Sequence, residues 1–363
     1  MDFERFLAQA WDDHAADPAG VALRLQDPGL ALATTASRVA PLSRLAHHVF
    51  GEHLGRWQDG IAWQQQLAAL PACADDAAAA RAVRRHVASL TLCQGELDPR
   101  PGLDASDRIT VTALAAAGLA PHDTARALDL LQDALAAAAA TAMPAGDPAH
   151  RALAVSANNL AATLQEKPDR SAAERGLMLL AAQAARRHWA VAGGWLEVER
   201  AEYLLALCWL QAGDPAQAAR HARACLDTVQ AQAAPLIAAC LPGLNGLKIG
   251  PVVIATFARV SLGDEIGALL GARICAVLIG ERPGLSVADS LGVYLTHDPR
   301  PGRRDSERNC LSNIHGKGGL SIEQAAAKLV WLLREALSRR LTGVALKEET
   351  PQMGLAPGAI GGG

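Results

Sequence analysis

Near residue 230 the composition of this chain changes, and that change limits what each side of it can fold into. Upstream, the sequence is written almost wholly in Ala, Leu, Arg and Gln at helical spacing. Ala and Leu lose little side-chain entropy in a helix, so this part is expected to be helical throughout. Downstream, β-branched runs and Gly-rich turns appear, and strands become expected. The boundary falls between about residues 228 and 246. Half of the 363 residues are apolar but only 4% are aromatic, so a sizeable core has to be assembled from small side chains. The expected class is mainly α plus α/β. It comprises residues 1–230 as a helical-repeat region, 231–350 as an α/β domain, and 351–363 as a Gly/Pro-rich disordered tail.

Within the helical part, two units repeat a pattern. The first has a helix carrying Leu160, Ala161 and Leu164, a turn at Lys167-Pro168-Asp169-Arg170, and a helix carrying Ala173, Leu177 and Leu180. The second has Ala206 and Trp209, a turn at Gly213-Asp214-Pro215, then Ala218, Ala222 and Cys225. Ala161 to Ala173 and Ala206 to Ala218 are both twelve residues apart, and small residues there let paired helices approach closely. These units resemble degenerate tetratricopeptide repeats. Thr110 to Leu135 reads as another helix–turn–helix with Pro121 near its turn. Residues 1–100 read as helices broken near Asp17-Pro18, Asp27-Pro28-Gly29 and Pro71, and Asp98 to Gly102 reads as a loop. His47, His48 and His53 are spaced like neighbours on one helix face. A polar helix surface accounts for them, with a metal site as the minor alternative.

The charge of −3 implies no basic field for nucleic acid. Seven cysteines are scattered without a CxxC pair, and the eleven histidines include no HExxH, so neither a disulfide framework nor a structural zinc site is expected. The start, MDFERF, is acidic and shows no secretory signal. The Ala-rich run near Ala134 to Ala142 is too short and too weakly hydrophobic for a membrane span. A cytoplasmic protein is the simplest expectation.

In the last third, Pro251-VVIATFA reads as a strand buried on both faces, Ser261-LGDEIGALLG as a helix capped by Ser261 and Asp264, and Arg273-ICAVLIG as a second buried strand. Strand, helix and strand in this order predict a βαβ unit and a partial Rossmann-like parallel sheet. Ser321 opens a long amphipathic helix. Ligands of such sheets bind beyond the carboxyl ends of the strands, where Gly280-Glu281-Arg282-Pro283-Gly284 would sit. From the pattern alone this is either a structural loop with a local ion pair or a ligand loop. Gly316-Lys317-Gly318-Gly319 lacks a full phosphate-loop pattern.

The block IGERPGLSVADSLGVYLTHDPRPGRRDSERNCLSNIH is very similar to the signature region of the ethanolamine ammonia-lyase small subunit, with Arg259-VSLGDEIGALLGA upstream and Leu341-TGVALK downstream also fitting. The resemblance covers about residues 232–350. It implies a subunit of an adenosylcobalamin-dependent carbon–nitrogen lyase that converts ethanolamine to acetaldehyde and ammonia. The resemblance further implies that a large subunit holds the substrate while the small subunit closes over the cofactor. No catalytic residue and no metal ligand is carried over. Cofactor contacts carry over onto Val260, Glu281 and Cys310. Each also has a plain structural role open to it: core for Val260, an ion pair with Arg282 or Arg259 for Glu281, a small apolar residue for Cys310. Lyases of this kind imply a cytoplasmic setting, including bacterial microcompartments. The family's early strand and its DGLSA-type turn are not found here, so a sheet short of strands is expected. The competing expectation is a repeat-type interaction scaffold carrying an incomplete, inactive lyase remnant.

Overall fold

The computed structural model describes residues 2–255, 258–280, 290–316 and 318–347. The chain divides into two compact units, Met1–Cys225 and Leu226–Gly363.

The first unit is helical: α1 (Phe3–Asp13), α2 (Pro18–Gln26), α3 (Ala36–His47), α4 (Trp57–Ala68), α5 (Pro71–Ala74), α6 (Ala77–Gln94), α7 (Ala105–Leu119), α8 (Thr124–Ala140), α9 (Pro148–Glu166), α10 (Ala172–Ala192) and α11 (Trp195–Gln211). Helix α12 (Pro215–Cys240) runs through the unit boundary. A single device starts many of these helices. Asp17, Asp76, Asp104, Asp123 and Asp147 each accept a hydrogen bond from a backbone N–H of the first turn. Pro18 and Pro148 then occupy the first helical position, where a missing N–H costs nothing. Ser171 and Glu174 close a reciprocal capping box on α10.

Among the described residues this unit holds three buried apolar clusters, two of them large. Phe6, Leu25, Leu42, Phe50, Trp63 and Leu67 anchor one. The other is largely alanine, with Ala115, Ala157, Ala161, Ala181 and Ala185 fully or almost fully buried between Leu119, Leu160 and Leu177. Helices α9 and α10 form the expected hairpin around the turn at residues 167–171, and α11 packs against α10. The first expected helix pair is thus present in a mainly helical unit, and the second expected turn, Gly213-Asp214-Pro215, falls between α11 and α12. In the first core, Gln64 and Ser43 are fully buried and mutually hydrogen-bonded at 2.7 Å, with His86 Nδ1 2.6 Å from the same Ser43 hydroxyl.

The second unit holds α13 (Leu262–Leu269), β1 (Ile274–Gly280), β2 (Leu291–His297), β3 (Asn309–Ile314) and α14 (Ile322–Arg339). The sheet order is β1-β2-β3 with both pairings antiparallel. This corrects the expected parallel, Rossmann-like βαβ unit. Arg273-ICAVLIG does supply a strand, β1, but Pro251-VVIATFA supplies none among its described residues. Val252 and Val253 stand 68% and 51% exposed. The partner of β1 is instead β2, ten residues downstream, and a link that short favours reversal of the chain over a crossover. Leu291, Val293 and Leu295 of β2 and Leu311 of β3 bury one sheet face against Ala325, Leu329 and Leu332 of α14. Ser321 and Gln324 form the capping box of α14. The stretch Pro215–Leu244 is long and apolar enough to cross a membrane by length and composition, and Leu236 and Cys240 within it belong to this core. The expected tail, 351–363, lies outside the described residues.

Candidate functional site

Two glycines one helical turn apart bring α13 onto the sheet. A Cβ at Gly263 would lie 2.2 Å from Val277 Cγ2, and one at Gly267 would lie 2.5 Å from Pro299 Cγ and 3.3 Å from Cys275 Cβ. The helix backbone therefore rests directly on the β1 side chains of the face opposite α14. Val277 is paired with Tyr294, and Tyr294 with Cys310. Directly paired residues point to the same face, so Cys275, Val277, Tyr294 and Cys310 share the α13 side.

One buried ion pair fixes this arrangement. Asp264 of α13 meets Arg308, the residue before β3, and both side chains are 3% exposed. Arg308 also donates to Asp305 at 2.7 Å and to the Arg303 carbonyl at 3.0 Å. Its Nε has no partner among the described residues. Ser261 makes no side-chain cap, and Asp264 is turned inward to the guanidinium, so the expected capping box is not formed. The bonds to Asp264, Asp305 and the Arg303 carbonyl offset much of the cost of burying this charge.

The sequence block around Cys310 is tied down by the chain's later segment. Asn309 Nδ2 donates to the Leu346 carbonyl at 2.8 Å, and Gly343 N donates to Asn309 Oδ1 at 2.8 Å. Thr342 Oγ1 accepts from His297 N at 2.9 Å and donates to the Glu307 carbonyl at 2.6 Å. Gly343 adopts φ +88, and a Cβ there would lie 2.1 Å from the Ser306 carbonyl. The Leu341-TGVALK motif is thus a clasp over the ends of β2 and β3. Arg308, Asn309, Thr342 and Gly343 are positioning residues that sequence reasoning did not single out. Their signal was present in the ERNC and TGVALK motifs, but spacing along the chain does not reveal a contact more than thirty residues away.

Of the residues carried over, Cys310 lies in β3 and is exposed, which removes the reading of it as a small buried residue. Val260 ends no strand. It sits half-buried in the turn leading into α13, its carbonyl accepting from Gly263 N at 3.1 Å. That turn lies on the α13 side of the sheet, the side that Cys310 faces. Glu281, with the rest of the Gly280–Gly284 turn beyond Gly280, lies outside the described residues. Burial, and secondarily the charge of Asp264, pushes the Cys275 thiol up. At the glycine run, a Cβ at Gly319 would lie 2.2 Å from the Asn313 carbonyl, and Leu320 N donates to that carbonyl at 2.8 Å. Gly319 therefore serves a tight turn into α14, and Lys317 lies outside the described residues.

Residues 225–347 match the family described as ethanolamine ammonia-lyase light chain (EutC). Over 124 residues the chain is 61% identical to the ethanolamine ammonia-lyase small subunit of Rhodopseudomonas palustris (strain BisA53), covering 34% of this chain and 47% of that protein. It is 57% identical over 136 residues to the small subunit of Bradyrhizobium diazoefficiens, covering 37% of this chain and 51% of that protein. With the small subunit of Xanthomonas campestris pv. campestris (strain ATCC 33913) the figures are 52% over 130 residues, 36% and 44%. The chain spans about half the length of the curated relatives it matches. The clasped sheet and its α13 face fall wholly inside the matched residues, and the C-terminal third of this chain is accordingly similar to the ethanolamine ammonia-lyase light chain.

Proposed function

We propose that residues 226–347 serve as a light-chain module of an ethanolamine ammonia-lyase, contacting adenosylcobalamin and acting only together with a large subunit. The observation that carries this reading is the match of residues 225–347 at identities above one half. The surface is compatible with the cofactor. A corrin with amide arms needs broad apolar contact and a few polar groups. The α13 side offers Val260 half-buried, and β3 offers Cys310 and Ser312 exposed. Glu281 is proposed as the third contact on the resemblance alone. When bound, adenosylcobalamin supplies the radical chemistry for carbon–nitrogen cleavage. The chain's own residues contribute contact and shielding: Val260 an apolar wall, Cys310 and Ser312 polar edges, the Asp264–Arg308 pair the fixed distance between α13 and β3.

Val252, Val253 and Leu269, the last 87% exposed, supply apolar surface of the kind a large subunit would cover. The purified chain, mixed with a large subunit and adenosylcobalamin, is expected to co-elute with it and to restore ammonia release from ethanolamine. Absence of both a complex and activity would overturn the proposal. A cytoplasmic setting, within a microcompartment where the lyase is so housed, belongs to the same proposal. The interaction-scaffold alternative is the weaker one. Its tetratricopeptide-like character rests on the twelve-residue spacing of Ala161–Ala173 and Ala206–Ala218.

A further inference from the structure

The N-terminal unit brings together three histidines, two from one turn and one from far upstream in the sequence. One ring nitrogen from each of His14, His48 and His53 lies within 4.8 Å of the others. His14 comes from the end of α1, the other two from the segment His48–His53 that continues α3 as a π-helix. That local geometry is the key to the cluster. In an α-helix, residues five apart diverge by about 140° around the axis. The wider π turn, marked by Leu54 N donating to the Val49 carbonyl at 3.1 Å, returns positions 48 and 53 to one face. Such turns recur at functional sites. His47, their sequence neighbour, points elsewhere: it is buried, with Nε2 3.0 Å from Ser89 Oγ.

The partners of the rings set their tautomers. His14 Nδ1 lies 2.5 Å from the Trp11 carbonyl oxygen, which can only accept, so Nδ1 carries the proton and Nε2 the lone pair. His48 Nδ1 lies 2.9 Å from Glu52 Oε2, a carboxylate, with the same consequence. An imidazole donating Nδ1–H to a carbonyl or carboxylate while presenting Nε2 is the usual posture of a metal-bound histidine. The bare Nε2 of His48 faces His53 Nε2 at 3.1 Å. Two nitrogens on one tetrahedral zinc ion stand about 3.3 Å apart. All three rings are half-buried, so an ion has access from solvent.

We propose that His14, His48 and His53 bind a divalent transition-metal ion of the zinc class, with Glu52 orienting His48 and a fourth position open to solvent. Imidazole nitrogens suit zinc, cobalt, nickel and copper and do not suit magnesium or calcium. Three ligands with an open position is the pattern of zinc sites that hold water or an exogenous ligand.

The test uses the full-length chain, stripped by a chelator and titrated with Zn2+ against a chromophoric competitor, and separately with Co2+ followed by visible absorption. The expected result is one equivalent of zinc bound with a submicromolar Kd. Co2+ should give tetrahedral-type d–d bands without a thiolate charge-transfer band. His48→Gln and His53→Gln should each weaken zinc binding at least tenfold, and Glu52→Ala by about 10- to 100-fold. His150→Ala, in the separate His150–His188 pair, should leave it unchanged. Failure of the unaltered protein to bind zinc overturns the proposal. So does binding that survives the double variant His48→Gln/His53→Gln, or a cobalt spectrum dominated by thiolate. Helicity is measured on every variant; should one fail to fold, the cobalt spectrum of the unaltered chain decides alone.

Discussion

Arg308 is a buried charge that ties two elements of the second unit together. Its guanidinium is 3% exposed and divides its donors between Asp264 on α13, Asp305 and the Arg303 carbonyl. Removing one partner leaves a charge in a nearly dry site. Arg308→Ala should therefore cost the second unit about 3–5 kcal/mol, read by urea denaturation. Arg308→Lys should recover only part of this loss, because an ammonium cannot reproduce the planar fork. If Arg308→Ala unfolds at the same urea concentration as the unaltered chain, the pair does not hold α13 in place. Cys310, two residues on, contrasts with it: exposed and on the α13 side, its position gives it no comparable part in the core.

Among the elements, the short helix α13 is closely fitted to the sheet. Gly263 and Gly267 form a smooth strip against Val277, Cys275 and Pro299. Gly267→Ala would place a methyl 2.5 Å from Pro299 Cγ, and overpacking of this kind typically costs about 1–3 kcal/mol. The expected outcome is a lower midpoint for the second unit in thermal unfolding followed by near-UV signals. An unchanged midpoint would mean that Pro299 yields freely. Elements of this sort also show what the sequence disclosed. The helices α9 and α10 were legible from their apolar period, and α14 from such a period opened by Ser321. Strand β1 was legible from its apolar run. Strand β2 was not: Leu291, Val293 and Leu295 alternate with Gly292, Tyr294 and Thr296, but the run is short and a glycine near its start weakens the strand signal. The direction of the sheet differs from expectation for a different reason. Pairing is decided by the link after β1, whereas the apolar run before α13 suggested a partner that the structure does not use. The histidine cluster was half legible. His48 and His53 were visible, but His14 lies 34 residues upstream, and the π turn has no sequence signature.

At the scale of the whole molecule, each unit carries its own apolar core, and the helical unit's core contains titratable groups held neutral. Burial, reinforced by the charges of Arg44 and Arg85, pushes His86 down to about 3. Burial and the neighbouring His150 and Arg187 push His188 down to about 4. Both folded values lie below the ordinary 6.5, so between pH 6.5 and about 3 the unfolded chain binds protons that the folded chain refuses. The stability contributed by these groups is complete above pH 6.5 and is lost as pH falls toward the folded values. The total is on the order of several kcal/mol at most. Urea unfolding followed by helicity should give a clearly lower midpoint at pH 4.5 than at pH 7. His86→Phe should flatten that dependence, and a midpoint independent of pH would contradict the assignment.

The exposed run at Val252 and Val253 bears on how the protein behaves in a tube and during synthesis. Pro251-VVIATFA combines β-branched residues with an absence of charge, the makeup of segments that stack chain upon chain. With both valines more than half uncovered, concentrated or newly made chains carry a sticky tag of their own. Shielding of that tag by a co-expressed binding partner is the expected route to a higher yield of dispersed protein.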